Sequence, residues 1–382
     1  MNIITKYFIL GYLLIFIGSS CKESTRPQPA DCDVGHLPCE EDIEDCCEVT
    51  CPETFHNCGD FLTECCLDTT SHDFNWEIFT LGDYGSTVRD MTIIDKNNIW
   101  AVGNFEIGDE EFNAAKWDGE EWEFLGFYSN TLDFQSINYF SENDIWITSF
   151  CLPYHWDGNL WTQYHIQNMG LDACVGNDIW GISSSDIYFI GVEGDIVYYN
   201  GSNFIKIASG TNINLRDIDG TPDGEYVFIV GRNDSGESIA LMIHDNQVST
   251  LYEGDGIFSE PHGYLKGVSV LNDTAYYASH NTLWKYNYLT EESDVIQRED
   301  IFETLGATRR IDARQINDIS IMTIVGEIVH YNGETWLVDN TIIDYYGLGN
   351  IYTKSISFKN NTIVTAGYSG NFRAVVCIGT RQ

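Results

Sequence analysis

Cations are scarce in this chain. Against 58 Asp and Glu stand only 19 Lys and Arg in 382 residues, giving a formal net charge of −39 and a pI near 4.2. A surface of that sign repels nucleic acid and anionic lipid headgroups at long range, which argues against DNA or RNA as a partner. Familiar catalytic signatures are missing too: no Ser-His-Asp elbow, phosphate loop, dinucleotide fingerprint or zinc-protease motif occurs. Apolar content is adequate, at 43% with 14% aromatic, so the chain has the means to pack a core and is not an acidic disordered polymer.

What is present is a phrase that recurs about every 44 residues. It reads Asn97-Asn98-Ile99-Trp100, Asn143-Asp144-Ile145-Trp146, Ser185-Asp186-Ile187-Tyr188, Tyr226-Val227-Phe228-Ile229 and Asn317-Asp318-Ile319-Ser320, with weaker copies at Ala275–Ser279 and Ile363–Gly367. The small residues that end each run are Gly103, Ser149, Gly191, Gly231, Ser279, Thr323 and Gly367, spaced by 46, 42, 40, 48, 44 and 44. In the second half of several units an Asp-Gly or Asn-Gly pair stands between apolar runs, as in Trp117-Asp118-Gly119, Trp156-Asp157-Gly158, Tyr199-Asn200-Gly201 and Tyr331-Asn332-Gly333. Such pairs predict two-residue hairpin turns with both central residues at positive φ. One unit therefore reads as four antiparallel strands, for example Arg89–Asp95, Ile99–Gly103, Ala114–Trp117 and Trp122–Phe124. Repeated seven times over residues 75–382, this predicts an all-β, seven-bladed β-propeller. The last unit runs out after its third strand, and Asn75–Phe79 resembles the missing fourth, so an N-terminal strand is expected to close the ring and remove its open edge.

Ahead of the ring, Lys6 precedes an apolar run from Tyr7 to Ile17, then Gly18, Ser19, Ser20 and Cys21. The run has the length of a signal-peptide core and is too short to span a bilayer. Small residues before the cysteine resemble the lipobox of bacterial lipoproteins, and Cys21-Lys22-Glu23-Ser24 is similar to the export signal of surface-exposed lipoproteins in Bacteroidetes-type bacteria. The resemblance implies cleavage after residue 20, acylation (palmitate) of Cys21, a tether over 21–31, membrane attachment through the lipid, and an outer-membrane, surface-exposed location. An ordinary secretory signal is the alternative.

Residues 32–66 hold eight of the 12 cysteines: Cys32, Cys39, Cys46, Cys47, then Cys51, Cys58, Cys65 and Cys66 at identical spacing 19 residues on. So short a segment with few apolar side chains cannot build a core, and in an exported protein the duplication reads as four disulfides of undetermined pairing. The seven-residue spacing also predicts two short helices. Metal binding through His36 and His56 is the alternative. Ten carboxylates and no Lys or Arg fit a solvated stalk, followed by a polar linker over 67–74.

When the inner strands are stacked, one position carries Arg89, Gln135, Asn177, Arg216, Lys266, Arg309 and Lys354. Five of seven are cations, where 19 in 382 predicts fewer than one. Inner strands surround the channel of a propeller and start on one face, so these heads are expected to form a positive collar for a carboxylate, phosphate or sulfated sugar. The competing expectation pairs each cation with a neighbour such as Asp90, Asp217 or Asp312, tying blades together. Most tryptophans occupy repeat positions and are expected between blades; Trp180, where other blades carry Thr, Asp or Ser, is the aromatic candidate for the channel. Asp217, Asp219 and Asp223 form a weak calcium candidate. Cys151 and Cys174 are expected to pair, leaving Cys377 as a buried thiol.

The run Ser86–Met91 through Asp95–Gly103 resembles the repeat of regulator-type propellers of bacterial sensors, and the Asp-Gly-x-x-Trp turns are similar to the Asp-box hairpins of sialidase-like propellers. Function has to be argued from a site and not from a fold, and the leading expectation is a non-catalytic binding or scaffold domain with a protein or glycan ligand. The rival, suggested by the sialidase-like turns, is a carbohydrate-active hydrolase or lyase, which needs a carboxylate pair, about 5 to 9 Å apart and buried beside the collar, or an Arg cluster such as Arg89, Arg216 and Arg309 facing a Tyr or carboxylate nucleophile. No catalytic residue is assigned.

Overall fold

The structure is a computed structural model. It describes residues 36–38, 46–48, 51, 54–58, 64–127, 132–256, 262–280, 282–297 and 306–381. The chain divides into two units, Met1–Cys66 and Leu67–Gln382.

The second unit is a ring of seven four-stranded antiparallel sheets. Blade one runs Thr87–Asp95, Asn98–Ile107, Glu110–Trp117 and Trp122–Leu125, and the next five repeat that order. Blade seven takes its fourth strand from the other end: Asn75–Leu81 pairs with Ala374–Thr380, from Ala374 opposite Leu81 to Thr380 opposite Asn75. The expected closure is therefore the one observed. It leaves no inner or middle strand unpaired.

The core lies between successive blades. Trp100 packs with Ile137 and Ile145, Trp146 with Ile179 and Phe189, and Phe228 with Val268 and Tyr277. Each such side chain, fully buried, contributes about 1.5–3 kcal/mol or more. A second tie repeats inside the blades. An acid opening the second strand meets a partner on the third, as in Asp144 with His155 (2.9 Å), Asp273 with Asn287 (2.8 Å) and Asp318 with His330 (2.8 Å).

The hairpin expectation needs correction. The turns after Trp117, Trp156, Tyr199 and Tyr331 have four residues, since Trp117 pairs with Trp122, Trp156 with Trp161, Tyr199 with Phe204 and Tyr331 with Trp336. Only the glycine is at positive φ, +99° at Gly119 and +92° at Gly158. The preceding Asp or Asn acts through its side chain: Asp118 Oδ1 accepts from the Glu120 and Glu121 amides, both at 2.8 Å. This is the Asx-type local bond that competes with a tighter turn.

In the first unit, His36–Pro38 pairs with Cys46–Glu48 and Phe55–Cys58 with Glu64–Leu67, each as an antiparallel hairpin. Two helices were expected there, so this too is a correction. A spacing of seven puts cysteines on one helical face but says nothing of the pairing of two short strands. Cys51 is disulfide-bonded. Cys21, Cys32 and Cys39 lie outside the described residues, and so does the leader; the pairing expected of Cys46, Cys47, Cys58, Cys65 and Cys66 concerns side chains that are likewise outside.

Residues 68–72, read from sequence as a polar linker, are tied to blade six. Thr70 donates its amide to Asn332 O (2.9 Å), Asn317 Nδ2 donates to Asp68 O (2.8 Å), and the His72 and His330 rings share a hydrogen bond at 2.8 Å. Arg381 donates to Ser71 O at 2.9 Å and pairs with buried Asp318.

Candidate anion-binding collar

Each inner strand starts on the same face of the ring, and in six of them the ladder skips one residue near that start. The register passes from Val88 to Asp90, Phe134 to Ser136, Leu215 to Asp217, Leu265 to Gly267, Thr308 to Arg310 and Thr353 to Ser355. The skipped residues are Arg89, Gln135, Arg216, Lys266, Arg309 and Lys354. All are bulge residues, and a bulge re-aims a side chain that regular pairing would send into the sheet. In blade three, Asn177 stands just before the ladder, its amide bonded to Ile190 O at 3.0 Å. The periodic position found in the sequence is thus a periodic defect in the sheet.

These side chains form one electrostatic cluster, and Arg232, at the end of Tyr226–Arg232, joins it. Burial and then the charges of Arg232 and Arg309 press the Lys266 ammonium down to about 7. Burial, Arg309 and Arg89 press Lys354 down to about 8, Asp133 opposing. Arg232 is lowered to about 10 by burial, with Arg309 and Arg216 among the further causes. Arg309 is lowered chiefly by burial, and its Nε is a buried donor without a hydrogen-bond partner. An unmade bond of that kind costs about 1–3 kcal/mol.

Pairing of each cation with an inner-strand aspartate is not what the fold builds. Arg89 grips Asp133, Nη2 to Oδ2 at 2.8 Å and Nε to Oδ1 at 3.3 Å. Among the described residues, Arg216, Lys266, Arg309 and Lys354 have no ion-pair partner. The Lys266 Nζ lies 4.0 Å from the Tyr264 ring centroid, and that of Lys354 5.5 Å from the Tyr368 ring. Gln135 donates to Asp133 O (3.2 Å) and Asn177 to Leu215 O (2.7 Å), so the two neutral members brace the collar.

The aspartates are committed one and three residues deeper. Asp90 accepts from the Ile137 amide (3.0 Å), Asp217 from Val268 (2.9 Å), Asp219 from Val270 (2.7 Å) and Asp312 from Phe358 (2.7 Å). These bonds cross from one blade to the next, so the carboxylates lace the ring around the channel. Ser355 closes the circuit onto Asp90 at 2.8 Å. Arg310, which repeat stacking did not single out, reaches from blade six to Asp178 and Asp217. This layer lines a cavity of about 310 Å³ with Trp180 at its side, the tip of the indole lying over Gly220. Burial raises Asp219 to about 6 and Asp312 to about 7.

Asp217 and Asp219 face blade five, whereas Asp223 bonds Thr221 Oγ1 (2.6 Å) and the Glu225 amide (3.1 Å) in a hairpin turn. The three do not converge, and among the described residues no three acid, His or Cys groups do. Cys151 and Cys174 form a disulfide that ties blade two to the approach of blade three, and Cys377 is a buried free thiol.

No protein-family model matches the chain, and no curated protein matches it. Solved structures do. A YCF48 bound to a D1 peptide superposes with a TM-score of 0.60 at 17% identity, covering 82% of this chain and 98% of that one. The WD40 propeller domain of Doa1 gives 0.58 at 12% identity (80% and 97%), and YCF48 from Cyanidioschyzon merolae gives 0.57 at 11% (79% and 98%). Identities this low establish the shared propeller fold.

Proposed function

We propose that the ring is a non-catalytic binding domain that holds an anionic group of a protein partner in the collar. The observation that carries this reading is the cluster of mutually repelling cations without ion-pair partners, together with the unused Nε donor of Arg309. Fixed cations brought together at a stability cost find their compensation in a bound anion. The peptide carried by one YCF48 structure supports a protein segment as the carrier of that group. On the sequence reading, a lipid on Cys21 anchors the chain at the outer membrane and the cysteine module serves as its stalk; radiolabelled palmitate incorporated by the wild type and not by Cys21→Ala tests this.

Inorganic phosphate tests the collar. A saturable rise in melting temperature of the wild type, absent in Arg309→Gln, supports it, since a ligand that binds only the folded state stabilises by mass action. Equal responses overturn it.

A hydrolase reading draws on Asp219 and Asp312, whose raised values suit proton transfer. Both, however, accept an amide from the next blade at equivalent positions, which is the ring's own ladder. Hydrolysis of a glycan, lost in Asp312→Asn without loss of folding, is the result that would favour it.

A further inference from the structure

Beside the collar, over blade seven and the approach to blade one, four aromatic rings stand in succession. Tyr352 and Tyr368 are cross-strand partners stacked at 5.2 Å and 20°, Tyr368 and Phe372 stack at 5.9 Å and 10°, and Phe372 meets Tyr84 edge-on at 5.7 Å. The row reaches the cations at its second ring: Lys354 lies over Tyr368, and Tyr368 also interacts with Arg309. Both ends are open to solvent, with Tyr84 71% and Phe372 52% exposed at one and Tyr352 46% exposed at the other. Burial in the fold therefore does not explain the row.

Its geometry is held in place at some cost. Phe372 sits at φ +55° in the turn after Ser369, in the left-handed region that bulky residues avoid. The turn is fixed to the neighbouring loop by Gly85 N to Phe372 O (2.8 Å), Arg373 Nε to Gly82 O (3.0 Å) and an Arg373–Asp83 ion pair (3.4 Å). A glycine at 372 would relieve the backbone and lose the ring. Strain retained under an exposed aromatic points to a contact made with something else.

We infer that this row is a second subsite for the same partner, an extended acidic peptide whose apolar side chains lie along the rings while its carboxylate occupies the collar. The inference rests on the collar reading and adds to it the class of partner. Same-face side chains of an extended peptide recur about every 6.6–7 Å, about 1 Å more than the 5.2–5.9 Å between successive ring centroids, so two or three of them can lie along the row. Charge complementarity sets the direction, with the acid at the Lys354 and Arg309 end.

The test is selection of a displayed random 12-residue peptide library on the full chain. Wild type is expected to enrich Asp or Glu together with aromatic or aliphatic residues at alternate positions. The double variant Tyr84→Ser, Phe372→Gly should keep the acidic enrichment and lose the apolar pattern, and its affinity for a wild-type-selected peptide should fall about tenfold or more. Arg309→Gln should lose both. Acidic enrichment without an apolar pattern, or a pattern unchanged in the double variant, overturns this subsite and leaves the collar standing. Apolar enrichment indifferent to Arg309→Gln overturns the collar, and enrichment of nothing overturns both. A unchanged far-ultraviolet spectrum and a melting temperature no lower than wild type exclude misfolding of the double variant as the cause.

Discussion

Replacing Lys266 with Met is expected to stabilise this protein while weakening its hold on anions. Burial and the charges of Arg232 and Arg309 bring the Lys266 ammonium from 10.5 to about 7. At about 1.4 kcal/mol per pH unit, that is a cost near 5 kcal/mol at the outside. Lys266 is half-buried, and solvent screening reduces the figure to roughly 1–3 kcal/mol. Met keeps the volume of the stem and forfeits the ammonium over Tyr264, about 0.5–1 kcal/mol. The net gain of about 1–2 kcal/mol corresponds to a melting temperature higher by about 2–6 °C for a ring of this size. The sign of its pH dependence follows from the depressed value. The penalty of the charged lysine is complete below pH 7 and fades between about 7 and 10.5, where the folded protein has released a proton that the unfolded chain still binds. Calorimetric melts at pH 6 and pH 9 therefore differ: the gain is larger at pH 6. A Met variant less stable than wild type at pH 6 refutes the reasoning, because it means the ammonium is held by a favourable partner.

Anion binding should take up protons near neutrality, because a bound anion raises Lys266 and Lys354 from about 7 and 8; titration calorimetry at pH 7.5 in buffers of different ionisation enthalpy reads this, with affinity falling as pH rises through that window. Phe372→Gly should raise stability by about 1 kcal/mol through relief of its left-handed backbone, measured by denaturant midpoint. Deleting residues 75–81 strips blade seven of its closing strand and should turn cooperative unfolding into aggregation, visible by light scattering. His72 is lowered mainly by burial and by its neighbour His330, so the contact it makes is stable above pH 6.5 and weakens as pH falls; the protection of the Thr70 amide against hydrogen exchange, taken relative to its intrinsic rate at each pH, should fall first on acidification.

The ring was legible in the sequence because each blade repeats the same burial problem. Ile99, Ile145, Ile187 and Ile319 are all buried second-strand residues, and the period they set is the blade. The collar position was legible for the same reason, as a column in the stack. The bulges that set the column apart were not: a bulge at Arg89 or Arg309 leaves no mark in side-chain alternation read one strand at a time. Arg232 and Arg310 escaped because each lies in a column that is not otherwise basic. The aspartates near the cations in sequence pointed to pairing, but Asp90 and Asp312 are drawn instead to amides of the adjacent blade, a partner that only the closed ring supplies. Turn type failed similarly at Asp118 and Asp157, whose carboxylates cap the turns that their backbone dihedrals were expected to make.

The central claim is that a cluster of unpaired cations in the channel mouth receives an anion, and anomalous diffraction from a crystal soaked in selenate addresses it directly. The account predicts a selenium peak within hydrogen-bond distance of Arg309 Nε and beside Lys266 or Arg232. A collar that shows no peak, or one in which a carboxylate of the protein's own chain occupies Arg309 and Lys266 as Asp133 occupies Arg89, would contradict it.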